Sequence, residues 1–387
     1  MNNWKKTTLG EVCNFRRGHD LPKYDMQEGM VPVAGSNGII GYHDKQTNIE
    51  PCITIGRSGN VGTPYYYEKC WAHNTVLYID DYKGNDPKFI YYFIKTLNLG
   101  NYSGGSAVPT LNRNHIHPIE VYFPIDIDEQ KRIADVLSAL DDKIEINNKI
   151  NENLEAQAQA IFKQWFVDFE FPDEEGKPYK SNGGKFIDSE LGEIPIGWKV
   201  GSIYELVDVI YGSPYKSKLF NEDKKGFPLI RIRDLKTFSP FYYTEETLPT
   251  TEYINEGDII AGMDAEFTPC VWKGKTGVLN QRVCKFKSHN DCISNLFVYF
   301  HIKPHLDFLQ FHKVGTTVSH MGKSDIDRIN IIIPKVDICD KYAILSNRIL
   351  DKILNNSKEN QNLSEIRDSL LPKLMSGEVG IKLKNIL

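Results

Sequence analysis

Between Pro124 and Pro172 the chain has neither glycine nor proline. Nothing in that stretch of roughly 45 residues marks a turn, and its helix formers predict one long helix over 126–170, about 65 Å at 1.5 Å per residue. The seven cysteines (13, 52, 70, 270, 284, 292 and 339) are odd in number and include no C-x-x-C pair. They read as reduced, mostly buried thiols rather than staples or zinc ligands. No run approaches the roughly 18 apolar residues of a membrane span, and no charged-then-apolar leader opens the chain. The expectation is a cytoplasmic protein with no membrane partner. The sequence has no G-x-x-x-x-G-K-[ST] phosphate loop and no G-x-G-x-x-G entering a helix. It also lacks the Asn/Asp-Pro-Pro-aromatic tetrad of amino-methyltransferases. The chain is therefore expected to hold no cofactor of its own, neither a nucleoside triphosphate nor S-adenosylmethionine.

Positive charge is not in excess either. The formal net charge is −5, which at first argues against nucleic acid. Its distribution matters more. Residues 1–125 carry +1, 126–170 carry −6, 171–195 carry −3, 196–336 carry +2 and 337–387 carry +1. The acid sits on the predicted helix and the stretch after it. The other parts are free to present a basic face.

What is present is a heptad seam. Ile133, Leu137, Leu140, Ile144, Leu154, Ala158, Ile161 and Trp165 recur at spacings of three and four, and a helix this long needs a partner to bury them. Ile349, Ile353, Leu363, Leu370 and Leu374 repeat the spacing near the end of the chain. The two stretches align, Asp142-Lys143-Ile144 with Asp351-Lys352-Ile353. Both seams are interrupted by asparagine, Asn147 and Asn151 in one and Asn356 and Asn360 in the other. Such residues either fix register or sit solvated at the seam edge.

The repeat extends beyond the helices. Trp4, Leu9, Glu11 and Gly18 recur as Trp198, Ile203, Glu205 and Gly212. Val108, Leu111, Ile116, Ile119, Val121 and Pro124 recur as Val318, Met321, Ile326, Ile329, Ile331 and Pro334 at a longer offset, so the second copy carries an insertion. A period this long means domain duplication. Short β-rich runs separated by Gly, Pro and Asn turns predict strands at Cys52–Gly56, Thr75–Ile79, Glu120–Phe123, Leu229–Ile232, Asp258–Ala261 and Asn330–Ile333. Helical pieces fit Pro87–Leu97 and Cys292–Phe311, with Pro304 expected to break or kink the second. The reading is an α/β fold of five parts. Residues 1–125 and 196–336 form irregular α/β domains, 126–170 a central helix, 171–195 a polar, mobile linker, and 337–387 a second helix with a tail.

Several motifs have bland readings beside sharper ones. Gly56, Gly59 and Gly62 form either a phosphate cradle or a plain tight turn, and the turn is favoured. Pro172-Asp173 with Glu175-Gly176-Lys177 mimics a metal-dependent nuclease motif, but its parts are too close together. His301 and His305 are spaced like zinc ligands, yet ordinary histidines are favoured. The positive signal is a set of polar residues on predicted loops beside strands. In the first domain these are Arg57, Ser58, His73, Asn74, Thr75, Asn112 and Arg113. In the second they are Arg231, Arg233, Asn280, Gln281, Arg282, His320 and Lys323. Arginine reads guanine and Asn/Gln reads adenine bidentately in the major groove, while Ser, Thr and Lys hold phosphates. Loop polarity alone is the alternative for any one of them. The cluster Ile161, Phe162, Trp165 and Phe166 is more than one seam can bury. It is read as a partner-docking surface, with a cap on the helix-pair core as the alternative.

Four stretches in order now point to a family. They are Gly35-Ser36-Asn37-Gly38 with Ile53–Gly62; Phe162 to Phe169; Leu191-Gly192-Glu193-Ile194-Pro195 before Gly197-Trp198; and Leu371 to Glu378. Over essentially its full length the chain resembles the specificity subunit of type I restriction–modification systems. The resemblance implies two target recognition domains, each reading one half of a split double-stranded DNA target. It implies an intramolecular antiparallel coiled coil that spaces them, with internal pseudo-two-fold symmetry. It also implies two methyltransferase subunits, which bring S-adenosylmethionine and methylate adenine N6, and restriction subunits that add ATP- and Mg-dependent translocation and cleavage. The chain itself would be non-catalytic. Two other classes stay open: an enzyme that modifies or cleaves DNA with its own residues, and a scaffold that binds protein only. Assaying the chain with DNA, Mg²⁺ and S-adenosylmethionine separates the first, and a DNA-binding assay the second.

Overall fold

A computed structural model describes residues 4–47, 49–104, 109–290, 292–313 and 319–381. The repeat markers Val108 and Val318 lie outside them. The chain divides into two compact units, residues 1–144 with 362–387, and residues 145–361.

In the first unit β1 (Trp4–Thr8) leads through α1 (Leu9–Val12) to β2 (Asn14–Arg17). Then follow β3 (Val31–Gly35), β4 (Gly38–His43), β5 (Cys52–Gly56), β6 (Pro64–Tyr67), β7 (Trp71–Ala72) and β8 (Val76–Asp81). Next are α2 (Pro87–Thr96), α3 (Arg113–Ile116) and β9 (Glu120–Pro124). One sheet has the order β2-β8-β5-β6, another β4-β3-β7, and β1 pairs antiparallel with β9. All five residues of β5 are buried, as expected of an inner strand. α2 starts where the Asp86 side chain accepts from Phe89 N–H at 2.8 Å, with Pro87 in the first turn. Leu9, Phe15, Ile53, Ile79, Phe89 and Phe123 form the core.

The helix α4 (Ile127–Phe162) enters this core through Ile133, Ala134 and Leu137. Gln130, 1% exposed, donates to Asn85 and to Pro124 O and accepts from Asp86 N–H. α4 does not stay α-helical to 170. A π-helical turn over Lys163–Val167 closes it. The linker is polar but tied down. β10 (Phe186–Ile187) pairs with β11 (Ile194–Pro195), and Phe171 stacks on Trp198 at 5.0 Å and on Tyr179 at 4.6 Å. The nuclease-like Asp173 is a turn residue, its carboxylate accepting from the N–H groups of Glu175 and Lys177.

The second unit repeats the first. It holds β12 (Lys199–Ser202), β13 (Val207–Tyr211), β14 (Phe220–Asn221), β15 (Phe227–Ile230), β16 (Tyr243–Thr244) and β17 (Tyr253–Ile254). β18 (Ile259–Gly262), β19 (Cys270–Val271), β20 (Gly277–Leu279), β21 (Val283–Ser288) and β22 (Asn330–Ile333) complete the strands. The helices are α5 (Asn295–His312), α6 (Lys323–Ile326) and α7 (Val336–Met375). The sheet β13-β21-β18-β19 matches β2-β8-β5-β6, and β12·β22 matches β1·β9. The parallel pair β15·β20 matches β3·β7. The inserted residues fall mainly between β15 and β20, where β17 is added. The predicted strand Leu229–Ile232 stops at Ile230 because Ile232–Leu235 turns into a 3-10 helix. α5 runs through Pro304 rather than ending there. Pro304 is exposed, and the helix forfeits one backbone bond instead of its course.

In this unit α4 and α7 run antiparallel, residue numbers rising on one as they fall on the other. Asn147 donates to Asn360 at 2.9 Å and to Glu359 at 2.8 Å, and Asn356 donates to Asn151 at 2.8 Å. Asn147, Asn151 and Asn356 are buried, so they are seam residues that bond across it. In the first unit the same two helices meet through Arg367, 2.5 Å from Asp141, and through Leu374 in the core.

His301 is an ordinary core residue rather than a ligand. Its ring lies 4.2 Å from that of Phe297 and 5.0 Å from that of Phe162, and Nε2 donates to Ile332 O at 3.3 Å. Nδ1 is sealed from solvent without a partner among the described residues. Burial lowers its pKa to about 4, against 6.5 unfolded. The unfolded chain then binds more protons between those values, so stability is full above pH 6.5 and declines as pH falls toward 4. The loss is expected to reach at most about 3 kcal/mol, less where the ring edge keeps solvent. Urea unfolding at pH 7.5 and 5.0 checks it, and His301→Leu should remove that part of the pH dependence.

Candidate nucleic-acid interface

Backbone crossings gather the polar loops of each domain. In the first, Arg57 N–H donates to Thr75 O at 2.9 Å, and Leu111 N–H donates to Arg57 O at 2.8 Å. His19 bridges His73, and Ser58 bridges Thr110. Gly18 must be glycine, because a Cβ there would lie 2.1 Å from His73 O. The same crossings recur in the second domain. Met263 N–H donates to Arg282 O at 2.9 Å, and Met321 N–H to Met263 O at 2.7 Å. Ser213 bridges Asn280, Asp264 bridges His320, and a Cβ on Gly212 would lie 2.1 Å from Asn280 O. Position by position, Arg57 matches Met263, Ser58 matches Asp264, His73 matches Asn280, Thr75 matches Arg282 and Thr110 matches His320. Arg113 and Lys323 each open a short helix.

The side chains on these two frames differ. In the first domain Arg16, Arg17, Arg57 and Arg113 surround a cleft of about 350 Å³ floored by Leu77 and Leu111, with Asn112 beside it. Among the described residues, Arg57 and Arg113 have no carboxylate within ion-pair distance. Arg16 is 3.8 Å from Asp80 and Arg17 is 3.6 Å from Asp20, both beyond hydrogen-bonding distance, so these carboxylates offset the two arginines only in part. The cleft is thus strongly cationic. Asn112 caps α3 by accepting from Asn114 N–H, and Asn74 donates to Asp20. His73 Nδ1 lies 3.0 Å from Thr75 Oγ1, and burial holds its pKa below the usual value. The glycine turn is no phosphate cradle, since Gly62 N–H donates to Gly56 O and Gly56 N–H to Thr63 O.

The second domain holds its cations differently. Arg282 Nε is 3.1 Å from Asp264 Oδ2, and His320 Nδ1 is 2.6 Å from Asp264 Oδ1. Lys323 is 2.7 Å from Asp327 and 5.3 Å from the Tyr204 ring centre. Asn280 accepts from Arg282 N–H at 3.3 Å, and Gln281 is exposed. Arg233 is also exposed. Arg231 is not available. Its Nε is 3.2 Å from the buried Asp234 and its guanidinium lies 4.4 Å over the Tyr242 ring. The sequence reading missed Arg16, Arg17 and Asp264. Two consecutive arginines directly before the repeat marker Gly18 were the signal for the first two. Asp264 gives no such signal.

The proposed docking cluster lies elsewhere. Phe162, Trp165 and Phe166 are buried, and Ile161 packs partly buried beside them, in the second unit's core with Trp198, Phe297 and Tyr342. The apolar surplus that one seam leaves over is covered by the domain, so it offers no free surface.

The family model described as "Type I restriction modification DNA specificity domain" matches residues 1–156 and 195–366. The chain belongs to this specificity family. The family is one of DNA recognition rather than catalysis. Its duplication is the one seen in the matched frames. The chain is 29% identical to the type I restriction enzyme MjaIX specificity subunit of Methanocaldococcus jannaschii, over 76% of this chain and 69% of that one. It is 26% identical to the HindI specificity subunit of Haemophilus influenzae, over 98% and 100% of the two chains. The crystal structure of a type I restriction–modification S subunit from M. genitalium superposes with a TM-score of 0.60 at 16% identity, covering 99% of this chain and 97% of that one, which supports the fold. Among the described residues no helix is long and apolar enough to cross a membrane, and no group of three or more His, Cys, Asp or Glu is placed to hold a metal ion.

Proposed function

We propose that this specificity-family chain is the DNA-reading subunit of a type I restriction–modification complex, its two domains each reading one half of a bipartite target. The observation that carries the reading is the pair of matched frames with unlike side chains. Equal backbone crossings present Arg57, Ser58, Thr75 and Thr110 in one domain and Asp264, Arg282 and His320 in the other, where the buried Met263 stands at the place of Arg57. Duplicated frames keep the docking geometry, and changed side chains change the bases read. In this reading two methyltransferase subunits bring S-adenosylmethionine and methylate adenine N6, and restriction subunits bring ATP- and Mg-dependent cleavage. Selection of the full chain, with its co-assembled proteins, against randomised duplex DNA tests it. Two specified blocks separated by unspecified bases are expected. A single block, or none, contradicts the reading.

A further inference from the structure

The trio Asp264, Arg282 and His320 has no counterpart in the first domain, where Ser58, Thr75 and Thr110 occupy the matched places uncharged. The Arg282 side chain is 53% exposed, yet its guanidinium is not loose. Nε forms an ion pair with Asp264 Oδ2 at 3.1 Å, and among the described residues the two terminal nitrogens meet no carboxylate, so they remain as the prongs of the fork. The carboxylate is itself fixed from the other side, Oδ1 accepting from His320 Nδ1 at 2.6 Å. The backbone beneath is pinned as well, because Arg282 N–H donates to Asn280 Oδ1 and Arg282 O accepts from Met263 N–H. A side chain held at both ends keeps its geometry before binding.

The charge of this group selects its ligand. An unpaired arginine favours phosphate. An arginine with a carboxylate 3.1 Å away carries less net charge as a pair, and the carboxylate repels a phosphate brought beside it. A neutral base edge with two acceptors suffers no such repulsion. Guanine O6 and N7 in the major groove form that edge, and two parallel arginine donors match it. We propose that Asp264 is a positioning residue that fixes Arg282 to read the guanine of one G·C pair in the second domain's half-site. The inference rests on the DNA-reading function proposed above and adds the base and the device.

The test uses the full chain with its co-assembled proteins. Randomised duplex DNA first gives the half-site. Affinity is then measured for duplexes changed one base pair at a time, over a range of salt. The unaltered protein should lose roughly 5- to 150-fold when one particular G·C pair of the second half-site is changed. Arg282→Ala and Arg282→Lys should both flatten that position and leave the others intact, since lysine supplies charge without the fork. Asp264→Ala should weaken the same preference and steepen the salt dependence, as the freed arginine turns to phosphate. Asp264→Asn, whose amide oxygen keeps a polar contact for Nε, should retain more of the preference than Asp264→Ala. The inference is overturned if Arg282→Ala weakens all sequences alike, or if Asp264→Ala leaves the G·C preference untouched. Either result can occur with a bipartite target intact, which leaves the DNA-reading function standing. Absence of any bipartite target in the unaltered protein sinks both.

Discussion

Replacing Arg57 and Arg113 together with alanine is expected to lower affinity for the cognate duplex on the order of 100-fold or more, without loss of stability. Each base-reading arginine is worth about 1–3 kcal/mol of discrimination, and each phosphate contact adds to the salt dependence. Neither side chain is tied to a carboxylate among the described residues, so removing it breaks no ion pair. Arg57 lies just after β5 and Arg113 opens α3, and the Leu111–Arg57 backbone bond that joins the two segments is preserved by alanine. If they read bases, positions in one half-site relax. If they hold phosphates, all sequences weaken alike and the salt slope falls by about one per arginine. Filter binding at several salt concentrations, with urea unfolding as the control, separates the two. Unchanged affinity for every duplex would remove the cationic cleft from the interface.

The second large effect is on stability. Phe166→Ala should destabilise the second unit by about 3–5 kcal/mol. Its ring is 4.8 Å from Phe297, 5.1 Å from Tyr342 and 5.2 Å from Phe162, and it is 5% exposed. A void at that point loses contacts with three rings that no neighbour can replace. Urea unfolding measures the loss. Phe166→Leu keeps most of the volume and should cost far less. A Phe166→Ala protein as stable as the parent, but unable to assemble with its partner subunits, would restore the docking role that the burial argues against.

The periodicity of a helix face is local in the sequence, whereas what covers that face is not. Periodicity identified the long helices because a seam is local and needs no knowledge of its partner. It could not say what covers Phe162 and Trp165, since Phe297 and Trp198 arrive from distant parts of the chain. The strands Cys52–Gly56 and Asn330–Ile333 were legible from β-branched runs between turn residues. Leu229–Ile232 ran too far because Arg231 N–H donates to the Asp234 carboxylate and ends the strand early. The register of the two domains was legible too, because Trp4, Leu9, Glu11 and Gly18 recur as Trp198, Ile203, Glu205 and Gly212. The partners on that frame were not. Asp264 meets Arg282 across neighbouring strands, and Arg231 is withdrawn by Asp234 and Tyr242, facts of pairing that spacing does not encode.

The central claim is that each domain reads its own half of the target. It is tested most directly by exchanging residues 1–125 for those of another member of the family and sequencing the DNA bound or methylated by the resulting complex. The account predicts that one half of the recognised sequence changes, while the other half remains that of the parent. A change in both halves, or in neither, would contradict it.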